Sequence, residues 1–298
     1  MDDGARLDWR DRLIALGARA FIKPVFALPI AWTTHRRIAD FHALRHRGTP
    51  GVHVTREEVA GIACRVATPD VNDGAEPLIW LHGGGFVMCS PDTHAPLLDA
   101  LALASGRRVV APAYRLAPEH PFPAGLEDAL AVVRALEPCA LGGDSAGANL
   151  ALGVTAALMT EGRPPERLVL IGPPVDLDPA RTPPPGCDEM VLPFSAVRRI
   201  FAAYLTPGAD PRDPRLSPIH ADWTGAPPTL IHAARGELLE GDARALAAKM
   251  RAAGVEVALE VWDGVPHDWH MAAGHSPAAD RAVARIGDFL RGGAKTRG

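Results

Sequence analysis

The chain changes its rhythm of apolar and polar positions three times. The first fifty residues carry an apolar set, Leu13, Ile14, Leu16, Phe21 and Ile22, interleaved with Arg and His. That spacing predicts amphipathic helices, broken at Pro24 and Pro29, with Ile38 and Phe41 in a second helix. After Gly48-Thr49-Pro50-Gly51, the residues Val52 and Val54, then Val59, Ile62, Cys64 and Val66, alternate as in two half-buried strands. From Leu78 the pattern becomes a succession of strands and helices. Strands are predicted at Leu78 to Leu81, Arg108 to Ala113, Cys139 to Leu141 and Leu168 to Ile171. Helices are predicted between and after them at Leu97 to Leu103, Glu127 to Leu136 and Asn149 to Met159. Such alternation predicts an α/β fold, a mostly parallel sheet covered by helices on both faces.

Residues Gly172 to Pro218 interrupt that order. They are Pro-rich, with Pro183-Pro184-Pro185, and hold one helical island around Val197 to Tyr204. The stretch is too long for an ordinary connection, which predicts an inserted cap over 176–215 between core segments 49–175 and 216–298. The alternation then resumes with strand Thr229 to Ala233, helix Ala243 to Ala253, strand Val255 to Val261 and helix Ala278 to Leu290.

Composition narrows the classes without choosing among them. With 298 residues, 47% hydrophobic and 22% charged, the chain is long enough for a substantial core. Its formal net charge of −4 and lack of a basic run give no reason to expect a nucleic-acid partner. The stretch Phe21 to Trp32 is apolar but short and interrupted by Lys23, Pro24 and Pro29, so no stable membrane insertion is expected. The acidic start, Met1-Asp2-Asp3-Gly4, leads into no apolar leader. Cys64, Cys89, Cys139 and Cys187 are widely spaced, with no C-x-x-C pair, which fits a cytoplasmic location rather than a disulfide framework.

The chemistry begins at Gly143-Asp144-Ser145-Ala146-Gly147. This G-x-S-x-G follows a short apolar strand and precedes a long Ala/Leu-rich helix, the setting in which a tight turn exposes a nucleophilic serine. No Gly-Lys-Ser/Thr follows, so a phosphate-binding loop is excluded. About sixty residues upstream, His82-Gly83-Gly84-Gly85-Phe86 follows the apolar run Leu78-Ile79-Trp80-Leu81. Backbone N–H groups of Gly83 and Gly84, with that of Ala146, are the candidates for an oxyanion hole. His82 reads as a brace for this loop.

In this arrangement the acid and the base follow the serine in the order Asp/Glu, then His. His267 lies in Asp263-Gly264-Val265-Pro266-His267-Asp268-Trp269, between a strand and the last helix, and is the candidate base; His270 is its rival, and His232 falls inside a strand. Glu237, Glu240 and Asp242 follow the strand Thr229 to Ala233, and Glu237 lies nearest its end. Glu240 and Asp242 read more readily as solvated helix caps. The role required of the acid is to accept the His267 Nδ1–H and fix the tautomer.

Taken together, these residues resemble the hormone-sensitive-lipase-like family of α/β-hydrolases, in its bacterial GDSAG subgroup. The resemblance spans nearly the whole chain. It rests on His82 to Phe86, on Gly143 to Gly147, on Trp262 to Trp269, and on Tyr114-Arg115-Leu116-Ala117-Pro118-Glu119-His120-Pro121-Phe122-Pro123-Ala124, which has no chemical reading of its own. The family usually places an aspartate in a D-x-L-x-D-type segment about thirty residues before the histidine. Here Glu237-Leu238-Leu239-Glu240 stands in that place, with Gly241 where the second acid would be. Members of the subgroup can carry Glu there.

The resemblance implies a carboxylic ester hydrolase acting on short- to medium-chain acyl esters, with no metal or organic cofactor. It also implies a cap built from residues 1–48 and the insertion, and a possible homodimer. A lactone hydrolase uses the same machinery, and the family also contains non-catalytic small-ligand receptors, which have lost the histidine. The small-molecule ester is the expected partner. Activity is expected to fall with protonation of His267, near neutrality or slightly below.

Overall fold

The computed structural model describes residues 7–43, 46–72 and 74–292; the acidic start of the chain lies outside them. Among the described residues, eight strands form one sheet in the order β1-β2-β4-β3-β5-β6-β7-β8. They are Val52–Val59 (β1), Ile62–Pro69 (β2), Leu78–Leu81 (β3), Val109–Pro112 (β4), Ala140–Asp144 (β5), Leu168–Ile171 (β6), Thr229–Ala234 (β7) and Val257–Trp262 (β8). From β4 through β8 the pairing is parallel, whereas β2 runs antiparallel to both β1 and β4.

Apolar runs without alternation are what parallel strands need, because both faces are covered. Along β3, Ile79 and Leu81 enter one core layer, and Leu78 and Trp80 the other. The first layer is filled from Ala124–Leu136 (α5), Ala146–Thr160 (α6) and Glu240–Ala252 (α8). The second is filled from Ala95–Ser105 (α4) and Pro277–Leu290 (α9). Each large side chain buried here contributes about 1.5–3 kcal/mol. At the sheet edge, β1 departs from the half-buried strand its alternation predicts. It is mostly exposed, and its Glu57 pairs with Arg108. A charged edge strand resists pairing with another chain.

The N-terminal segment also differs from expectation. Trp9–Gly17 (α1) passes through a π-helical turn, Ala18–Ile22, straight into Lys23–Ala27 (α2), so Pro24 does not break it. The wider turn, with Lys23 N–H donating to Ala18 O, accommodates the missing proline donor. The break falls instead before Trp32–Ala43 (α3), at Pro29. Leu13, Leu16 and Phe21 stay exposed, while Ile14, Ala18, Ile22 and Phe26 face a cavity beside Ser145.

Insertion residues meet these helices directly. Lys23 Nζ donates to Glu189 O at 2.8 Å, Arg199 donates to the carbonyls of Leu28 and Ile30 at 2.5 Å, and Arg19 pairs with Asp188. The helical island of the insertion is Phe194–Tyr204 (α7). No helix among the described residues is long and apolar enough to cross a membrane.

Candidate active site

The loops leaving the carboxyl ends of β3, β5, β6, β7 and β8 converge on one point, where an open α/β sheet presents its ligands. Ser145 stands between β5 and α6 with φ 50° and ψ −120°, a strained conformation for a non-glycine residue. The strain is enforced by crowding. A Cβ on Gly147 would come within 1.9 Å of Leu81 O, so α6 can lie this close to β3 only with glycine there.

His267 Nε2 is 2.9 Å from Ser145 Oγ, and its Nδ1 is 2.5 Å from Glu237 Oε2. The other Glu237 oxygen accepts from Ala234 N–H at 2.9 Å, which aims the carboxylate. All three side chains are buried. Burial opposes a charge on His267, but Asp268 and Glu237 together hold its pKa well above that of an ordinary imidazole.

The rival residues are occupied elsewhere. Glu240 accepts from Gly236 N–H at 2.7 Å and pairs with Arg244. Asp242 is not the solvated cap its position suggests. It is buried, accepts from Val175 N–H at 2.9 Å, and binds Arg181 of the insertion. His270 Nε2 lies 2.9 Å from His232 Nδ1 in the core, and burial followed by the neighbouring His232 pushes its pKa well down. His220 and His275 are exposed.

One donor assignment is corrected. The N–H of Gly83 does not face the cavity, because it donates to Asp144 Oδ2 at 2.8 Å. The position also requires glycine, because a Cβ there would lie 2.2 Å from that oxygen. Gly84 and Gly85 line the cavities with Ser145, and no acceptor among the described residues takes their N–H groups. With Ala146 on the other side of Ser145, they are the donors the geometry leaves free.

Beneath this loop lies a polar layer that sequence reading missed. Asp144, read only as the variable position of the motif, accepts from Trp80 Nε1 at 2.8 Å and lies 3.0 Å from His94 Nε2. Burial opposes its charge, yet His94 and Trp80 hold its carboxyl below the usual aspartate value. His82 does brace the loop. Its Nδ1 is 2.8 Å from Gly83 O, and its ring stacks on Tyr114 at 4.3 Å. Burial, then His94, pushes its pKa down to about 3, so it stays neutral.

The Tyr114 to Ala124 stretch now acquires a reading. Tyr114 O–H donates to His82 O at 2.6 Å, and Ala117 N–H to Phe86 O at 2.9 Å. Arg36 of α3 donates to Val87 O and Ala117 O and pairs with Glu119. The segment therefore clamps the glycine loop in place. Gly172, just past β6, was also missed. It has φ +49°, and a Cβ would stand 2.6 Å from His267 Cε1, so glycine makes the seat for the imidazole. A glycine directly after a buried strand was the signal for it.

Two cavities open at Ser145. The narrower, of about 60 Å³, is lined by Leu177, Phe194, Val197, Ile200, Leu238 and neighbours. The wider, of about 370 Å³, lies under the N-terminal helices and holds His267 and Asp268. Asp268 has left-handed backbone, φ 53° and ψ 36°, and its Oδ2 is 3.1 Å from His267 Nε2.

Comparison with known proteins agrees with this architecture. A family model described as the α/β hydrolase fold matches residues 78–271. The chain is 41% identical to an acetyl-hydrolase of Streptomyces hygroscopicus, over 86% of this chain and 89% of that one. It is 33% identical to a carboxylesterase/phospholipase of Mycobacterium tuberculosis, covering 94% and 81% of the two chains. The crystal structure of an esterase from the bacterial hormone-sensitive lipase family superposes with a TM-score of 0.84 at 33% identity, covering 95% of this chain and 96% of that one. A hormone-sensitive lipase from a metagenome library gives 0.87 at 30% identity, covering 97% and 100%. The chain belongs to the hormone-sensitive-lipase-like family of α/β-hydrolases and is a carboxylesterase of that family.

Proposed function

We propose that this carboxylesterase hydrolyses short- to medium-chain acyl esters through Ser145, His267 and Glu237 and an acyl-enzyme intermediate. The observation that carries the reading is the unbroken relay from Ser145 Oγ to His267 Nε2, and from Nδ1 to Glu237. His267 Nε2 takes the Ser145 hydroxyl proton as Oγ bonds to the ester carbonyl carbon. The carbonyl oxygen becomes an oxyanion facing the N–H groups of Gly84, Gly85 and Ala146, each such donor being worth about 3 kcal/mol of barrier. When the carbon–oxygen bond to the alcohol breaks, Nε2 returns the proton to the leaving oxygen. Water then repeats the sequence, giving its proton to His267 and its oxygen to the acyl carbon, and Ser145 is released.

The leaving oxygen must sit beside Nε2, so the alcohol occupies the wider cavity and the acyl chain the narrower one. The acyl side is walled by Phe194, Val197 and Ile200 of α7, which supports a preference for short chains. A panel of p-nitrophenyl esters from C2 to C12, run beside several lactones, tests this. The expected kcat/KM is highest between roughly C2 and C6 and falls steeply at C12, as a methylene without room costs on the order of 1–3 kcal/mol. Faster turnover of lactones than of every open-chain ester would replace the acyclic substrate with a cyclic one.

The pH dependence follows from His267 acting as a base. Activity is lost as pH falls through its pKa, because only the neutral imidazole accepts the serine proton. Since Asp268 and Glu237 raise that pKa, the acid limb of kcat/KM is expected on the alkaline side of an ordinary imidazole. This moves upward the limb read from the sequence alone. Initial rates over roughly pH 5 to 10 check it, and an acid limb below that of an ordinary imidazole would contradict it.

A further inference from the structure

Asp268 is placed next to the reacting atoms without a part in the relay. Its Oδ2 stands 3.1 Å from His267 Nε2, the atom that hands its proton to the leaving oxygen. The first atoms of any leaving alcohol must therefore pass beside this carboxyl. Left-handed backbone at this position would be met equally well by Gly or Asn, so conformation alone does not call for an acid.

The protein leaves this carboxyl poorly satisfied. Its Oδ1 is buried with no partner among the described residues, and Oδ2 meets only His267. Such an arrangement costs free energy, and although Oδ1 itself is out of reach, the side chain is partly exposed where it lines the wider cavity, so a donor arriving with substrate can meet the carboxyl there. The wider cavity has a second carboxylate in its lining, Asp144, but that one is fully engaged by Trp80, Gly83 and His94. The upper wall offers only apolar groups, Ile14, Ile22 and Phe26 among them.

We infer that Asp268 is a specificity-determining residue that selects esters whose leaving alcohol carries a second hydrogen-bond donor, a hydroxyl or a protonated amine, a few atoms from the ester oxygen. Burial pushes its carboxyl up to about 6, so it carries charge at the pH where His267 is a base. The inference rests on the proposed ester hydrolysis and extends it to the alcohol side, where the acyl-chain panel is silent.

Matched pairs of butyrate esters test it. The 2-hydroxyethyl ester is compared with the propyl ester, and the 2-(dimethylamino)ethyl ester with its neutral isostere, the 3-methylbutyl ester. The ratio of kcat/KM within each pair is taken in one enzyme at a time, which cancels any effect of a substitution on His267. Wild type is expected to favour the donor-bearing member of at least one pair by about tenfold, the hydroxyl and ammonium arms telling which donor is selected. Asp268→Asn keeps an acceptor without the charge, so an ammonium preference should collapse while a hydroxyl preference survives in part. Asp268→Gly suits the backbone and should bring both ratios to about one. Wild-type ratios near one in both pairs, or a preference unchanged in Asp268→Gly, would overturn the inference. Turnover of p-nitrophenyl butyrate and phosphonate labelling of each variant report separately on the hydrolytic reading itself.

Discussion

Replacing Ser145 by Ala is expected to lower kcat by a factor on the order of 10⁶ and to abolish labelling by a serine-reactive phosphonate. The removed oxygen is the one atom of the proposed relay that forms a bond to the ester carbonyl carbon. His267 and Glu237 would remain hydrogen-bonded to each other but with no hydroxyl to activate. The donors of Gly84, Gly85 and Ala146 would still bind a carbonyl, so a residual rate some 10³–10⁴ above water is expected rather than none. Folding should survive, since the change deletes one oxygen from a turn whose backbone is held by Ser145 N–H donating to Ile171 O at 2.7 Å. Labelling that persists in the variant, measured by intact mass, would place the nucleophile elsewhere.

What the sequence disclosed depended on how local the physical cause was. Leu168 to Ile171 was readable end to end, because a strand buried on both faces admits only apolar residues and this one is bounded by Glu166-Arg167 before it and Gly172-Pro173-Pro174 after it. The residues of the proposed relay, which the structure brings within hydrogen-bond reach of one another, stood out for a related reason. Each lies in the loop that follows a predicted strand, and the spacing of strand ends is written in the hydrophobic pattern. The course of Ala18–Ile22 was not readable, since Pro24 is a helix breaker by local rules and only the π-helical turn excuses it.

The same distinction explains the error at the oxyanion loop. Three successive glycines announce backbone approach to a site, but which N–H points inward depends on Asp144, distant in sequence and adjacent in space. Likewise, Asp242 looked like a solvated helix residue until Arg181 of the insertion was folded over it. Gly172 and Asp268 both meet His267, and although a glycine directly after a buried strand marks the first position, that it seats the imidazole is visible only in three dimensions.

Glu237→Gln should be the second most damaging change, lowering kcat by a factor on the order of 10⁴ with KM little altered. The substitution keeps shape and volume, and the amide oxygen can still accept from Ala234 N–H, so the side chain has every reason to stay in place. Its amide nitrogen then faces His267 Nδ1 as a donor. That favours the tautomer bearing its hydrogen on Nε2, which cannot accept the Ser145 proton. Loss of the carboxylate also removes one of the two negative charges that raise the His267 pKa, so the acid limb should move down as the rate falls. Glu240→Gln separates this role from general electrostatics. Its carboxylate serves Gly236 N–H and Arg244, away from the imidazole, and the variant should keep its rate within a few-fold. Equal losses in the two variants, read as kcat on p-nitrophenyl butyrate, would mean that Glu237 acts through the loop it shares with Glu240. A loss confined to Glu237→Gln, with the shifted limb, ties it to the proton on Nδ1.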